Sequence, residues 1–163
     1  MVWTDAVVHW LHLMATAVWV GGSIFFVWVF SPIARAQLDP KTRASLMRQV
    51  GLKFKWFGWG SLAALGLTGL YKLGQIWDAV DFFDSFFGRT LLLKLALIGI
   101  ILILSVLHDF VWGPALSRRM AGQEGGGPPD PKAHRRLAFW ARLNLILAIA
   151  VVFASAVMLR SPY

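Results

Sequence analysis

Residues 91–110, LLLKLALIGIILILSVLHDF, decide the fold, because aliphatic side chains fill nearly all of this run. Twenty residues of α-helix are about 30 Å long, which is the thickness of the hydrocarbon core of a bilayer. Three other stretches of similar length are comparably apolar, so the predicted spans are 3–31, 54–77, 90–112 and 137–159. We therefore expect a single all-α membrane domain over residues 1–163, an integral four-helix bundle.

The composition of the whole chain supports a membrane protein. Hydrophobic residues make up 58% of the 163 residues and charged residues only 15%. A soluble domain usually has about 45–50% apolar and about 25% charged residues. The surplus apolar side chains therefore need a lipid bilayer as their partner. The chain has no cysteine, which excludes disulfides, thiolate metal sites and cysteine nucleophiles.

Lysine and arginine are concentrated in two of the predicted loops, the first and the third. Those residues are Arg35, Lys41, Arg43, Arg48, Lys53 and Lys55, followed by Arg118, Arg119, Lys132, Arg135 and Arg136. Basic loops of this kind stay in the cytoplasm. We therefore predict a multi-pass protein of a bacterial cytoplasmic (inner) membrane, with both termini on the outer, periplasmic side. The net charge of +8 is then a topology signal, and nucleic acid is not expected as a partner.

Prolines are expected to set the ends of two spans, because a proline lacks an N–H and its ring collides with the carbonyl four residues earlier. The first span should stop at Pro32, and the third should end or kink at Gly113–Pro114. Between spans, Asp39–Pro40 should open a short amphipathic helix. Residues 78–89 should form a short interfacial helix or loop, and residues 121–131 a flexible cytoplasmic loop.

Ionisable side chains inside a span are costly, so each one is a candidate functional residue. In the first span His9 and His12 are three positions apart and share a helix face that also carries Trp19, beside small residues. A neutral imidazole in a helical bundle suits the axial position of haem iron. Either His12 is a haem or metal ligand, with His9 the weaker candidate, or His9 lies at the membrane interface and His12 hydrogen-bonds another helix.

The third span carries a further candidate ligand, His108, which is either a metal ligand or a structural residue. Its neighbour Asp109 should point about 100° away around a regular helix. His12 is expected at a depth of about 14 Å and His108 at about 27 Å along their spans. This difference favours two separate sites, or one site and one structural histidine.

Three other polar residues lie inside the predicted spans. Lys94 is near the outer end of the third span, and Arg142 is near the cytoplasmic end of the fourth. Both side chains either reach the membrane surface or pair with haem propionates. Asn144, about half a turn deeper than Arg142, is placed to bond across helices or to line a cofactor site.

Short motifs in all four predicted spans resemble one family of membrane proteins. They include LHLMATAVWVGG (11–22), FSPIAR (30–35), LGLTGLYKL (65–73) and VLHDFVWGP (106–114). These segments resemble the copper-resistance D (CopD) family, and the His–Trp–Gly and Lys-Leu…His patterns are similar to HemJ-type protoporphyrinogen oxidases. The resemblance implies a four-helix bundle and, on the HemJ side, a b-type haem held by His12, with Lys94 and His108 at the matching positions of the third span. The chain lacks the Asn-Glu-x-Pro run of HemJ proteins after Asn144, which argues against porphyrinogen oxidation.

Four functions remain open from the sequence. The leading hypothesis is a b-type cytochrome with one or two haems, which exchanges electrons with a quinone, a periplasmic carrier or a larger complex. The alternatives are a copper transport or delivery protein that uses His9 and His12, a HemJ-like oxidase, and an accessory subunit without a cofactor. The small residues Gly60, Ala64 and Thr68, four positions apart, suit bundle packing or a homodimer.

Overall fold

The structure is a computed structural model that describes the backbone of residues 2–115 and 131–160, with the side chains of 131–134 and 137 left out. All regular structure in these ranges is helical. The helices are α1 (Val2–Gln37), α2 (Pro40–Ile76), α3 (Phe86–Ala115) and α4 (Pro131–Met158). The first two helices belong to one compact unit, residues 1–80, and the last two to a second, residues 81–163. The flexible loop predicted at 121–131 falls almost entirely outside the described residues.

Of the described helices, three are long and apolar enough to cross a membrane: Val2–Gln37, Phe86–Ala115 and Ala138–Met158. Large apolar side chains on them are widely exposed, as at Trp3 (85%) and Phe153 (70%), which fits a lipid environment. The membrane assignment is therefore confirmed in this coarser form. All of the predicted span 54–77 except its last residue lies in α2. Tryptophan, glycine and hydroxyl residues lower the mean hydropathy there, and α2 is not among the three. A fourth span and the orientation of the termini stay predictions.

The first loop differs from the expectation of a separate amphipathic helix. Residues Pro40–Ile76 form one helix of 37 residues, about 55 Å long, which merges the loop helix with the predicted span. Asp39 caps its start: the carboxylate oxygen Oδ1 accepts hydrogen bonds from the backbone N–H of Lys41 (3.0 Å) and Thr42 (3.1 Å). Pro40 occupies the first turn, where its missing N–H costs nothing. No residue between 41 and 76 is a proline, so nothing ends the helix earlier.

The expected stop at Pro32 is wrong, whereas at Gly113–Pro114 the helix is distorted and continues, which is one of the two outcomes expected there. α1 continues through Pro32 to Gln37, and α3 continues through Pro114 to Ala115. In each helix a π-helical segment precedes the proline, Phe25–Phe30 in α1 and Leu107–Trp112 in α3. The wider π-turn relieves the collision between the proline ring and the preceding carbonyls, so the helix is distorted but does not stop.

The segment before α3 is a loop, which is one of the two forms predicted for residues 78–89. Ser85 caps α3 by accepting a hydrogen bond from the N–H of Gly88 at 2.8 Å. A Cβ atom at Gly88 would collide with the backbone carbonyl of Asp81. The glycine therefore permits a close approach between the loop and the first turn of α3.

Candidate functional site

His12 on α1 is bonded across the first unit to Thr68 on α2. The distance from His12 Nδ1 to Thr68 Oγ1 is 2.7 Å, and the Thr68 hydroxyl donates its proton to the carbonyl of Ala64 at 2.6 Å. Because that hydroxyl has only one proton, its oxygen accepts from His12, and we assign the imidazole proton to Nδ1. The lone pair then lies at Nε2, as in histidines that bind metals.

Small residues surround the His12 ring. A Cβ atom placed at Gly69 would lie 3.9 Å from Cε1 of His12, and Ala15 is buried one turn along α1. His12 itself is half-buried. Trp19, predicted on the same face, lies near Gly58 of α2, where a Cβ would be 3.8 Å from its ring atom Cδ1. Trp19 therefore contributes to the contact between α1 and α2.

His9 has a different environment, although it is only three positions from His12. The Lys72 ammonium donates a hydrogen bond to Nδ1 of His9. An ammonium can only donate hydrogen bonds, so Nδ1 of His9 is the acceptor and the imidazole proton lies on Nε2. The lone pair of His9 is therefore engaged by Lys72. The adjacent positive charge also opposes a metal cation. Of the two histidines in the predicted copper pair, His9 has its lone pair engaged by Lys72.

The polar contact continues toward the start of α1. Asp5 Oδ1 accepts hydrogen bonds from the Tyr71 hydroxyl at 2.9 Å and from the Gln75 amide at 2.7 Å. Asp5, His9 and His12 thus bond to residues of α2 at steps of about one helical turn. Polar contacts of this kind hold helices together where both are surrounded by lipid. Sequence reasoning found the histidines but missed Thr68 and Lys72 as their partners.

His108 in the second unit is paired with its sequence neighbour. Its Nδ1 lies 2.8 Å from Oδ1 of Asp109, and the side chains are 34% and 22% exposed. The prediction that Asp109 points away is wrong, because both residues lie in the π-helical segment Leu107–Trp112 and not in a regular α-helix. The carboxylate accepts a hydrogen bond from Nδ1, and in the neutral imidazole this arrangement places the lone pair of His108 at Nε2. A carboxylate that holds a histidine in this way also strengthens it as a metal donor.

Asn144 on α4 bonds across the second unit to Ser105 on α3, as its depth in the span suggested. Its Nδ2 donates to the Ser105 hydroxyl at 3.2 Å, while its Oδ1 is buried and has no hydrogen-bond partner among the described residues. Trp112 and Trp140 stack nearby along the same pair of helices, with ring centroids 5.2 Å apart. Ser105 is buried, so the Asn144 amide lies in the contact between α3 and α4.

The two cationic candidates lie on the helices of the second unit. Lys94 is half-buried on α3, and Arg142 is exposed on α4. Within residues 2–115 and 131–160, no group of three or more His, Cys, Asp or Glu side chains is arranged to hold a metal ion. A haem brings four nitrogen ligands of its own, so one oriented histidine is enough to begin such a site.

Comparison with known families places this geometry in context. The family model "Copper resistance protein D" (CopD) matches residues 48–158. The chain belongs to the CopD family. The matched region contains Thr68, Lys72, His108 and Asn144, and it begins after His9 and His12.

One relative of this CopD-family chain matches it over nearly its whole length. An uncharacterized protein of Aquifex aeolicus (strain VF5) is 28% identical over 155 residues, which cover 94% of each chain. No solved structure matches the chain. The site therefore has to be interpreted from its own residues.

Proposed function

We propose that this CopD-family protein binds b-type haem through His12 and His108 and transfers electrons in the membrane. The observation that carries the proposal is the orientation of both imidazoles. Each hydrogen-bonds through Nδ1, to Thr68 in one unit and to Asp109 in the other, which assigns the lone pair of the neutral imidazole to Nε2, the nitrogen that would bind the iron. The depths predicted from the sequence favour a separate haem at each histidine.

The residues present fit a haem better than an isolated metal ion. Each histidine has aliphatic and aromatic neighbours along its helix, which suit a porphyrin, and at His12 the adjacent Gly69 leaves room beside the ring. When bound, haem supplies an iron centre that accepts and releases one electron. Thr68 and Asp109 would orient the ligands, and Lys94 and Arg142 would neutralise propionates. Trp19 and Asn144 would line the haem sites.

The wider setting of the proposal follows from the sequence. The chain would form a four-helix bundle in the bacterial inner membrane, with both termini on the periplasmic side and its basic loops in the cytoplasm. Electrons would pass to or from a quinone, a periplasmic carrier or a larger complex. The exposed apolar helix surfaces support the membrane part of this proposal.

Copper handling is the second candidate, because the matched family is described as a copper resistance protein. The pair available for copper near the predicted outer end is His9 and His12. The Lys72 ammonium on His9 weighs against it, since a bound cation would have to displace that contact. The copper hypothesis therefore requires a rearrangement at His9 that the haem hypothesis does not.

Absorption spectra of the detergent-purified protein, oxidised and dithionite-reduced, test the proposal when haem and copper are also quantified per chain. We expect a Soret band and sharp reduced α-bands, with His12→Ala and His108→Ala each removing or altering haem signal. His9→Ala is the matched control and should change little. A colourless protein from haem-sufficient cells would contradict the proposal. Stoichiometric copper that is lost in both His9→Ala and His12→Ala would establish the copper alternative.

A further inference from the structure

Each unit has one six-residue π-helical segment directly before a proline, and α1 also has a shorter π-helical segment, Ala17–Gly21, without a proline after it. In α1 the π-helical segment Phe25–Phe30 ends two residues before Pro32, and in α3 the segment Leu107–Trp112 ends two residues before Pro114. Each segment is six residues long, and each is closed by a hydrogen bond that spans five residues. The N–H of Ser31 bonds to the carbonyl of Phe26, and the N–H of Gly113 bonds to the carbonyl of His108.

The two π-helical segments that precede a proline differ in the side chains they contain. The segment in α1 reads FFVWVF and has no titratable side chain. The segment in α3 reads LHDFVW and contains His108 and Asp109, whose side chains are bonded to each other. The proline-linked distortion is therefore associated with a functional pair in the second unit only. The segment before Pro32 is therefore a control within the same chain for the segment before Pro114.

The π-turn explains why two consecutive side chains meet. In a regular α-helix, neighbours in sequence are separated by about 100° and do not face each other. A turn closed by bonds to the fifth residue spreads more residues around the axis, so consecutive side chains come closer in angle. The carbonyl of His108, which receives the N–H of Gly113, is itself part of this closure.

Gly113 and Pro114 together hold the π-turn in place. A Cβ atom at Gly113 would lie 3.0 Å from the carbonyl oxygen of His108, so a larger residue there would press on the turn. Pro114 has no N–H to offer the carbonyl of Phe110, four residues earlier, and its ring repels that carbonyl. Both effects favour the wide turn over the regular one.

We infer that Pro114 is a positioning residue for His108, because it maintains the π-turn that holds the imidazole against the Asp109 carboxylate. The inference deepens the proposed function, and only its consequence for a bound haem rests on that proposal. The Asp109 contact fixes the tautomer of His108 and makes its Nε2 a stronger donor. Without the π-turn, the histidine would keep its place in the sequence but lose its orientation.

The first test is nuclear magnetic resonance of the cofactor-free chain in detergent, with ¹⁵N-labelled histidine. The ¹⁵N shifts of an imidazole distinguish a proton on Nδ1 from one on Nε2, and His108→Gln identifies the signals of His108. In the parent protein we expect the Nδ1–H form. Pro114→Ala provides an N–H for the carbonyl of Phe110 and suits a regular helix, so the helix should persist while His108 loses that form. Asp109→Ala should give the same loss, whereas Pro32→Ala should leave His108 unchanged.

A second readout applies to the haem-bound protein. Loss of the carboxylate contact weakens the imidazole donor, so the reduction potential of the His108 haem should rise in Pro114→Ala and in Asp109→Asn, but not in Pro32→Ala. If Pro114→Ala retains the parent His108 signals while Asp109→Ala loses them, the inference is wrong. The resonance experiment does not depend on haem. A protein that binds no haem would therefore contradict the proposed function, while the resonance experiment would still test the role of Pro114.

Discussion

His12 donates its Nδ1 proton to the hydroxyl oxygen of Thr68, 2.7 Å away and 56 positions later in the chain. Thr68 is buried, and its hydroxyl donates a hydrogen bond to the carbonyl of Ala64. This contact within α2 fixes the direction of the hydrogen bond between His12 and Thr68. The contact joins α1 to α2 and also determines which nitrogen of His12 carries the lone pair. The hydrogen bond that joins the two helices therefore also sets the orientation of the proposed ligand His12.

Removing the Thr68 hydroxyl should weaken haem binding at His12. Thr68→Val keeps the shape of the side chain but cannot accept the Nδ1 proton, and loss of such a partner typically costs about 10–100-fold in affinity for a metal centre. Haem titration of the apoprotein measures this change. Thr68→Ser should retain most of the affinity, and Ser61→Ala, which removes another buried hydroxyl of α2, should have no effect. Equal affinity in Thr68→Val and the parent protein would show that the hydroxyl has only a packing role.

Removing the positive charge beside His9 should favour copper. Lys72→Met deletes the donor that engages Nδ1 of His9, so that nitrogen becomes available for a cation. We expect copper affinity, measured by competition with a chelator, to rise by up to about fivefold, since an exposed charge contact is worth about 0.2–1 kcal/mol. The double variant His9→Ala/Lys72→Met should reverse the gain. A decrease in Lys72→Met would mean that Lys72 supports copper binding in the parent protein.

Low pH should weaken the N-terminal cap of α2, which is the Asp39 carboxylate. The side-chain hydrogen bond from Thr42 and the backbone N–H groups of Thr42 and Lys41 stabilise the charged carboxylate and hold the pKa of Asp39 below its ordinary value of 3.8. A lowered pKa stabilises the folded cap above pH 3.8, and this contribution is lost as the pH falls through the lower folded value. Amide shifts of Lys41 and Thr42 should therefore titrate with a midpoint below 3.8. Asp39→Asn keeps a capping side chain and should remove that titration. A midpoint above 3.8 would contradict the cap.

The sequence predicted the apolar helices because hydropathy is a sum over local residues. His12, His108 and Asn144 became candidate site residues because polar residues are rare in such helices, and their role in a site stays a prediction. The sequence wrongly predicted that the first helix stops at Pro32, and it left open whether the third ends or kinks at Gly113–Pro114. A proline there is tolerated only because a π-turn rearranges the backbone bonds before it. That rearrangement depends on several residues at once and has no signature in hydropathy.

The partners of the histidines were beyond the sequence for a different reason. Thr68 and Lys72 are more than 55 positions from His12 and His9, and only the packing of α1 on α2 brings them together. Asp109 was visible as a neighbour of His108, but a regular helix would have turned it away. Tautomers follow from such contacts, so the distinction between His9 and His12 required the structure.

The buried amide of Asn144 allows a test of whether it serves packing or a cofactor. Ser105→Ala removes the partner of Asn144 Nδ2 and so leaves that donor, in addition to Oδ1, without a hydrogen bond among the described residues, which should cost about 1–3 kcal/mol of unfolding free energy. In Ser105→Ala/Asn144→Leu both polar groups are gone, so most of that loss should be recovered. Equilibrium unfolding in mixed detergent measures both. If the double variant is stable but binds less haem than the parent protein, Asn144 contributes to the cofactor site.

Whether α2 crosses the membrane is decided by whether its two ends lie on the same side or on opposite sides. Four spans place both termini on the same side, whereas the three helices that meet the hydropathy criterion would place them on opposite sides. Because the chain has no cysteine, Thr4→Cys, Thr42→Cys and Phe83→Cys each introduce one thiol for a membrane-impermeant reagent. With four spans and the basic loops inside, intact cells should be labelled at positions 4 and 83, and position 42 should react only after lysis. Labelling of 42 and 83 on the same side would show that α2 does not cross.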